Sequence, residues 1–407
     1  MRILMIGNGF DLAHSLPTKY TDFLAWIQAI QYITNYENAS KDVLFEDFKM
    51  KICEESKVLQ DEIRTLLEKN FIDEIGEYSK EILECISENH WIQYFMEIRE
   101  SMSENWIDFE AEISEVIQML QEDMKNKTFK DAYLESIEIK YFHKKFINVP
   151  QEIKMIDGKQ VHSFITASHK NLHDILLKDL DRLIRCLEIY LEEYVSKIEI
   201  NSISNQIEEL QPNKVLSFNY TSTYQKIYEN NIEKIEYDYI HGKADINNSI
   251  ESDNMILGID EYLCGEDKNK HTEYIQFKKF YQRIHKETGS IYLNWLDEIY
   301  ENYKEGVERE RSISPAQRRM LPNEFFYKQN ELFIFGHSLD KTDGDVIRDL
   351  IMAPTMNTFI FYKDAEQHGQ QIANLVNVIG QEEVIKRTGG KFKSIKFIKQ
   401  DEFVKRQ

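Results

Sequence analysis

Ile3-Leu4-Met5-Ile6-Gly7-Asn8-Gly9-Phe10-Asp11 is the stretch on which the fold turns. Four apolar residues in a row, stopped abruptly by turn formers, are the pattern of a short strand buried on both faces, as in a parallel sheet. Where such a strand passes into a helix, backbone N–H groups and the helix dipole attract phosphate, and glycine lets the phosphate come close. Gly7, Asn8, Gly9, Phe10 and Asp11 are therefore candidate nucleotide contacts. A Gly-x-Gly equally suits a tight strand-to-helix turn, and the third glycine of the dinucleotide fingerprint is missing. Asp11 has two readings of its own, a cap on the first helical turn or a contact to a ribose hydroxyl.

Outward from this strand the period changes. From about Leu44 to Tyr194 apolar residues recur at helical steps: Phe71, Ile75, Tyr78, Ile82, Cys85, then Phe109, Ile113, Val116, Leu120, then Leu176, Leu180, Leu183, Leu187, Leu191, Tyr194. Interruptions fall near Val149-Pro150 and Asp157-Gly158. Strand-like runs return after Gln211-Pro212-Asn213: Val215 to Phe218, Ile235 to Ile240, Met255 to Leu257, Leu332 to Phe335 and Phe359 to Tyr362. Helical segments at Asp343–Met352 and Ala365–Val378 alternate with them. The expected fold is α/β: a Rossmann-like, mostly parallel sheet with a large helical insertion between the first strand and the rest. Residues 1–40 and 205–407 would form the nucleotide-binding core and 41–204 the insertion.

Three more strand ends carry polar chemistry. Asn219, in Ser217-Phe218-Asn219-Tyr220-Thr221, stands where open α/β sheets place ligand contacts, and its amide both donates and accepts. It also suits a strand-end turn. His241-Gly242 closes the next run, and an imidazole there can serve as a general base near neutral pH. Gly336-His337-Ser338-Leu339-Asp340 closes another, offering backbone amides and a hydroxyl for a ribose or second phosphate. Asp340 and Asp343 read as helix caps rather than metal ligands.

The 407-residue chain suits two or three packed units, and 42% hydrophobic with 30% charged residues indicates a folded protein. A formal charge of −21 repels phosphate backbones, so nucleic-acid binding is not expected, with Arg311, Arg318 and Arg319 read as solvated charge. Cys53, Cys85, Cys186 and Cys264 form no Cys-x-x-Cys pair, which fits a reducing cytoplasm. No stretch reaches the ~18 apolar residues of a membrane span, and the first apolar run is too short for a signal-peptide core.

The run Gly7 to Leu12 with Leu16-Pro17-Thr18 and Tyr20-Thr21-Asp22-Phe23 resembles the bacteriophage abortive infection family AbiH. So do Trp106 with Asp108-Phe109-Glu110, Phe218 to Thr221, Ile256 to Asp260, and Gly336 to Asp340. The same order of turns is similar, more distantly, to sirtuin-like NAD-binding domains. That resemblance implies pyrophosphate contact by the glycine turn, Asn219 at the nicotinamide-side ribose and the attacking water, and His241 as catalytic base. Thr221 stands where such sites carry an acidic residue, and the four-cysteine zinc module of sirtuin deacylases is missing, so hydrolysis is expected rather than deacylation. The cofactor-binding set is then Gly7, Asn8, Gly9, Phe10, Asp11, Thr221, Gly336, His337, Ser338 and Asp340, the catalytic pair Asn219 and His241, with no metal. An antiphage effector cleaving NAD is expected, with a phage-derived trigger or homo-oligomerisation as control. The alternative is a non-catalytic NAD or ADP-ribose sensor that signals through the helical insertion.

Overall fold

The computed structural model describes residues 1–35, 57–68, 78–101, 107–126, 152–156, 159–163, 166–229, 234–263, 272–391 and 393–405. The chain divides into two compact units, one of Met1–Leu16, Ser196–Lys243 and Glu287–Gln407, the other of Pro17–Val195 and Ala244–Lys286. Trp106, Phe71, Ile75, Val149-Pro150 and Asp157-Gly158 lie outside the described residues, as do Cys53 and Cys264.

The first unit is built on a six-stranded sheet whose strands, in chain order, are β1 (Arg2–Ile6), β2 (Lys214–Ser217), β3 (Glu236–Tyr239), β4 (Asn330–Phe335), β5 (Met356–Tyr362) and β6 (Ile395–Lys399). All five pairings are parallel, and the spatial order is 3-2-1-4-5-6. The apolar run of β1 is explained by its central place. Ile3 and Met5 enter one core with Trp295, Ile347 and Leu375, while Leu4 and Ile6 enter the opposite core with Phe10, Ile207 and Tyr224. Strand β4 splits the same way, Leu332 and Ile334 against Phe333 and Phe335. Burying each such side chain contributes about 1.5–3 kcal/mol, so a polar residue at any of these positions would be costly on either face.

Helices Ile291–Arg311, Gly344–Met352 and Ala365–Ile379 cover the first face through Trp295, Ile299, Ile347, Leu350, Leu375 and Val378. Shorter helices Asn8–Ala13, Asn205–Glu208 and Thr223–Tyr228 cover the second through Phe10, Ile207, Tyr224 and Ile227. The order reverses between β1 and β4, and the glycine turns at residues 7–9 and 336 follow those two strands. Open parallel sheets leave a crevice at the carboxyl ends of the strands at such a reversal.

The second unit is mainly helical, with the 28-residue helix Thr166–Glu193 as its spine. Leu176, Leu180, Leu183, Leu187 and Leu191 of the spine are all buried, as the periodicity expects. Trp91 donates its indole N–H to Leu176 O at 2.9 Å, and Phe95 stacks on Phe109 at 4.0 Å, which in turn stacks on Tyr20 at 4.2 Å. Arg185, 1% exposed, pairs with Glu188 at 2.6 Å and Glu81 at 2.7 Å.

One sequence expectation is corrected here. Met255-Ile256-Leu257 is buried but is no strand, and it belongs to the second unit. Several of its backbone groups pair with side chains instead of a ladder: Lys286 donates to Met255 O at 2.6 Å, Gln282 to Leu257 O at 3.4 Å, and Asp253 accepts from Met255 N at 2.7 Å. Strand β6 had no counterpart in the sequence reading.

Candidate active site

Two backbone turns meet at the reversal point. Gly7 N donates to Phe335 O at 3.1 Å, Gly9 N to Gly336 O at 2.8 Å, and Phe10 N to Gly7 O at 2.8 Å. Gly336 has φ 68°, and a Cβ there would stand 2.2 Å from Phe10 N. A Cβ on Gly9 would stand 2.8 Å from Gly336 O. Contact between two main chains therefore requires these glycines; the amides of Gly7 and Gly9 are committed to that contact, and that of Phe10 to the carbonyl of Gly7 within its own turn, rather than presented to a phosphate.

Asp11 does not cap its helix; the N-cap is Gly7, without a side-chain bond. It is 1% exposed and accepts from Thr221 Oγ1 at 2.6 Å, while Thr223 Oγ1 donates to Thr221 Oγ1 at 3.0 Å. Burial pushes the Asp11 carboxyl up to about 6, against the opposing pull of Thr221, Thr223, Asn219 and Lys226. Thr221 thus reaches the site through a carboxylate that lies far from it in sequence.

Asn219 follows β2, and Ser217 fixes its backbone, donating to Asn219 O at 3.0 Å and accepting from Asn219 N at 3.1 Å. The residue is 5% exposed, and neither Nδ2 nor Oδ1 has a hydrogen-bond partner. One oxygen of Asp11, Oδ1, is likewise buried and unpaired. The Asn219 amide faces Asp11 closely enough to hold its carboxyl down, but outside hydrogen-bonding geometry. Orphaned buried polar atoms are rare, because each costs about 1–3 kcal/mol. A small polar guest with matching donors and acceptors removes that cost.

His241, after β3, places Nε2 3.1 Å from Asp343 Oδ1. His337, after β4, places its own Nε2 3.6 Å from Asp343 Oδ2 and accepts Leu339 N–H on Nδ1 at 2.9 Å. Phe218 sits edge-on to both rings, at 4.4 Å from His337 and 5.6 Å from His241. Asp340 does cap, accepting from Thr342 N at 3.0 Å, and Ser338 is exposed and accepts from Asp340 N at 3.3 Å. Asp343, expected as a second cap, makes no side-chain cap bond and holds the histidines instead. Sequence reasoning missed that role; the only signal was a carboxylate a few residues beyond a strand-end histidine. Leu339 adopts φ 61° while fully buried, a strained conformation that neighbours must enforce. Gln371 and Asn374 do so, donating to His337 O at 3.1 Å and Ser338 O at 2.9 Å.

All these groups lie in the first unit, at the carboxyl ends of β1, β2, β3 and β4. A model of the bacteriophage abortive infection AbiH family matches residues 3–362. The chain belongs to the AbiH family. That membership makes it a protein of antiphage abortive infection. No curated protein and no solved structure matches the chain. The family motifs Tyr20–Phe23, Asp108–Glu110 and Ile256–Asp260 fall in the second unit, where packing accounts for them: Tyr20 and Phe23 lie against Phe109, Asp108 caps the helix Phe109–Asn126, and Gly258 lies tight against Phe277 O. Among the described residues no cluster of three or more His, Cys, Asp or Glu is arranged to hold a metal, and no helix is long and apolar enough to cross a membrane.

Proposed function

We propose that this AbiH protein is an abortive-infection effector that hydrolyses the N-glycosidic bond of NAD. The observation that carries the reading is the pairing of a carboxylate-bound imidazole, His241 with Asp343, and an unpartnered buried amide, Asn219, on adjacent strand ends. The order 3-2-1-4-5-6 is that of Rossmann-type sheets, which bind dinucleotides at the reversal. In the reaction, water donates a proton to His241 as its oxygen attacks the ribose C1′. The bond from C1′ to the pyridinium nitrogen breaks, and its electron pair neutralises the ring, releasing nicotinamide. Positioned general-base help of this kind contributes about 10²–10⁴-fold. Asn219 would hold the water or the ribose hydroxyls, with Asp11 as a further acceptor. Gly7 and Gly9 would shape the floor rather than cradle the pyrophosphate, since their amides are already used.

The same orphaned amide also supports the second reading, a nucleotide sensor, because binding alone satisfies it. Cells carrying the wild-type chain, Asn219→Ala or His241→Ala decide between them when challenged with a phage that the wild type blocks. The catalytic reading expects cellular NAD to collapse on infection only with the wild type, and protection to be lost in both variants. Protection with steady NAD favours the sensor.

A further inference from the structure

We propose that Asp11 is a further catalytic residue: its unpaired oxygen takes a hydrogen bond from the 2′-hydroxyl of a ribose cis-diol held between Asp11 and Asn219, and that bond strengthens as positive charge develops at C1′. The catalytic role rests on the hydrolysis proposed above; the diol site does not. Asp11 follows β1 and Asn219 follows the neighbouring β2. Three of their buried atoms lack a partner, the acceptors Asp11 Oδ1 and Asn219 Oδ1 and the donor Asn219 Nδ2. Turning the Asn219 amide over leaves the same set. An ionised phosphate, which only accepts, would satisfy the amide nitrogen and face Asp11 as a like charge. A cis-diol matches all three atoms: one hydroxyl donates to Asp11 Oδ1 while accepting from Asn219 Nδ2, and its neighbour donates to Asn219 Oδ1. Water has the same functions, and the diol displaces it without leaving any of the three unpaired.

Both side chains are held for this task. Thr223 Oγ1 donates to Thr221 Oγ1 at 3.0 Å, and Thr221 Oγ1 to Asp11 Oδ2 at 2.6 Å, so the relay occupies one carboxylate oxygen and leaves the other to a ligand. Ser217 fixes the Asn219 backbone through two hydrogen bonds. Burial brings the Asp11 carboxyl up to about 6, so it is ionised at pH 8. C2′ adjoins C1′, and a carboxylate on the 2′-hydroxyl therefore stands beside the carbon that becomes positive as the bond to nicotinamide breaks. The 2′-O–H bond polarises toward Oδ1 without giving up its proton. The electron pair of the broken bond goes to the pyridinium ring, and water adds to C1′ as above. Hydrogen bonds to the hydroxyl beside the reacting carbon strengthen in this way in glycoside hydrolysis.

The test compares the full chain with Asp11→Asn at pH 8, on NAD and on its analogue lacking the 2′-hydroxyl of the nicotinamide ribose, with calorimetric binding of ADP-ribose alongside. The substitution keeps the shape and, with its amide oxygen on Thr221, offers the diol a donor in place of an acceptor. On NAD it should lower kcat about 10²–10³-fold, and on the analogue the difference between the two chains should disappear. Equal kcat on NAD, or the same loss on both substrates, overturns the catalytic role. ADP-ribose should bind the variant about tenfold or more weakly than the wild type. The wild type should discriminate by a similar factor against ADP-ribose lacking that 2′-hydroxyl, which tests the site even if the variant does not fold. Equal binding in either comparison, or no binding of ADP-ribose to the wild type, overturns the diol site. A chain that binds as expected but releases no nicotinamide keeps the diol site and rejects hydrolysis, and the catalytic role with it.

Discussion

Gly9 donates its backbone N–H to the carbonyl oxygen of Gly336 at 2.8 Å, joining the turn after the first strand to the turn after the fourth. Two main chains approach here more closely than any side chain would allow, and the polar residues of the site are arranged around that junction.

Gly336→Ala should therefore be among the most damaging single-methyl additions in the chain. Its φ of 68° disfavours any L side chain, and the new Cβ would meet Phe10 N at 2.2 Å. A loss above about 2 kcal/mol is expected from strain and displacement together. Gly369→Ala is the control: it lies inside helix Ala365–Ile379 with nothing within 4 Å of the added carbon, so a gain of about 0.5–1 kcal/mol is expected. Urea unfolding of both variants measures the contrast, and equal effects would contradict the packing account.

Asp11 gives a pH signature. Its carboxyl is raised from 3.8 to about 6 in the fold, so the native state binds the proton more tightly than the unfolded chain does. Its contribution to stability is full below about pH 4 and is lost as pH rises through 6, to a limit of about 3 kcal/mol at 1.36 kcal/mol per unit. Asp11→Asn should thus stabilise the chain at pH 8 and do little at pH 4. Chemical denaturation at the two pH values checks this, and a variant less stable at pH 8 than the wild type would refute it.

In the second unit Arg185→Met should cost about 3–5 kcal/mol, because Glu188, fully buried, would lose its ion-pair partner. Lys80→Met removes an ion pair too, but Lys80 and Glu84 are largely exposed at 3.6 Å, and a change within about 0.5 kcal/mol is expected. Thermal unfolding that ranks the two alike would show the buried network to be misread.

Much of the frame was legible in sequence for a physical reason: a strand buried on both faces must be apolar at every position, so Ile3 to Ile6 and Leu332 to Phe335 declared themselves. The spine helix did so through its leucine period. Met255 to Leu257 misled because an apolar run reports burial, not a ladder, and side chains that pair with its backbone come from Asp253, Gln282 and Lys286. The glycine turn misled in part as well. Composition marks where backbone must come close, but not whether the approaching group is a ligand or, as at Gly336, another strand end. The Asp343 contacts and the pairing of Thr221 with Asp11, 210 residues away, are tertiary and leave no local trace.

The central claim is that the site cleaves NAD, and the most direct measurement is product analysis of the purified chain incubated with NAD, alone and with phage-infected cell extract. The account predicts nicotinamide and ADP-ribose in equal amounts from the wild type, and loss of about 10²-fold or more in rate for His241→Ala. Intact NAD under both conditions, or equal release by wild type and His241→Ala, would contradict it.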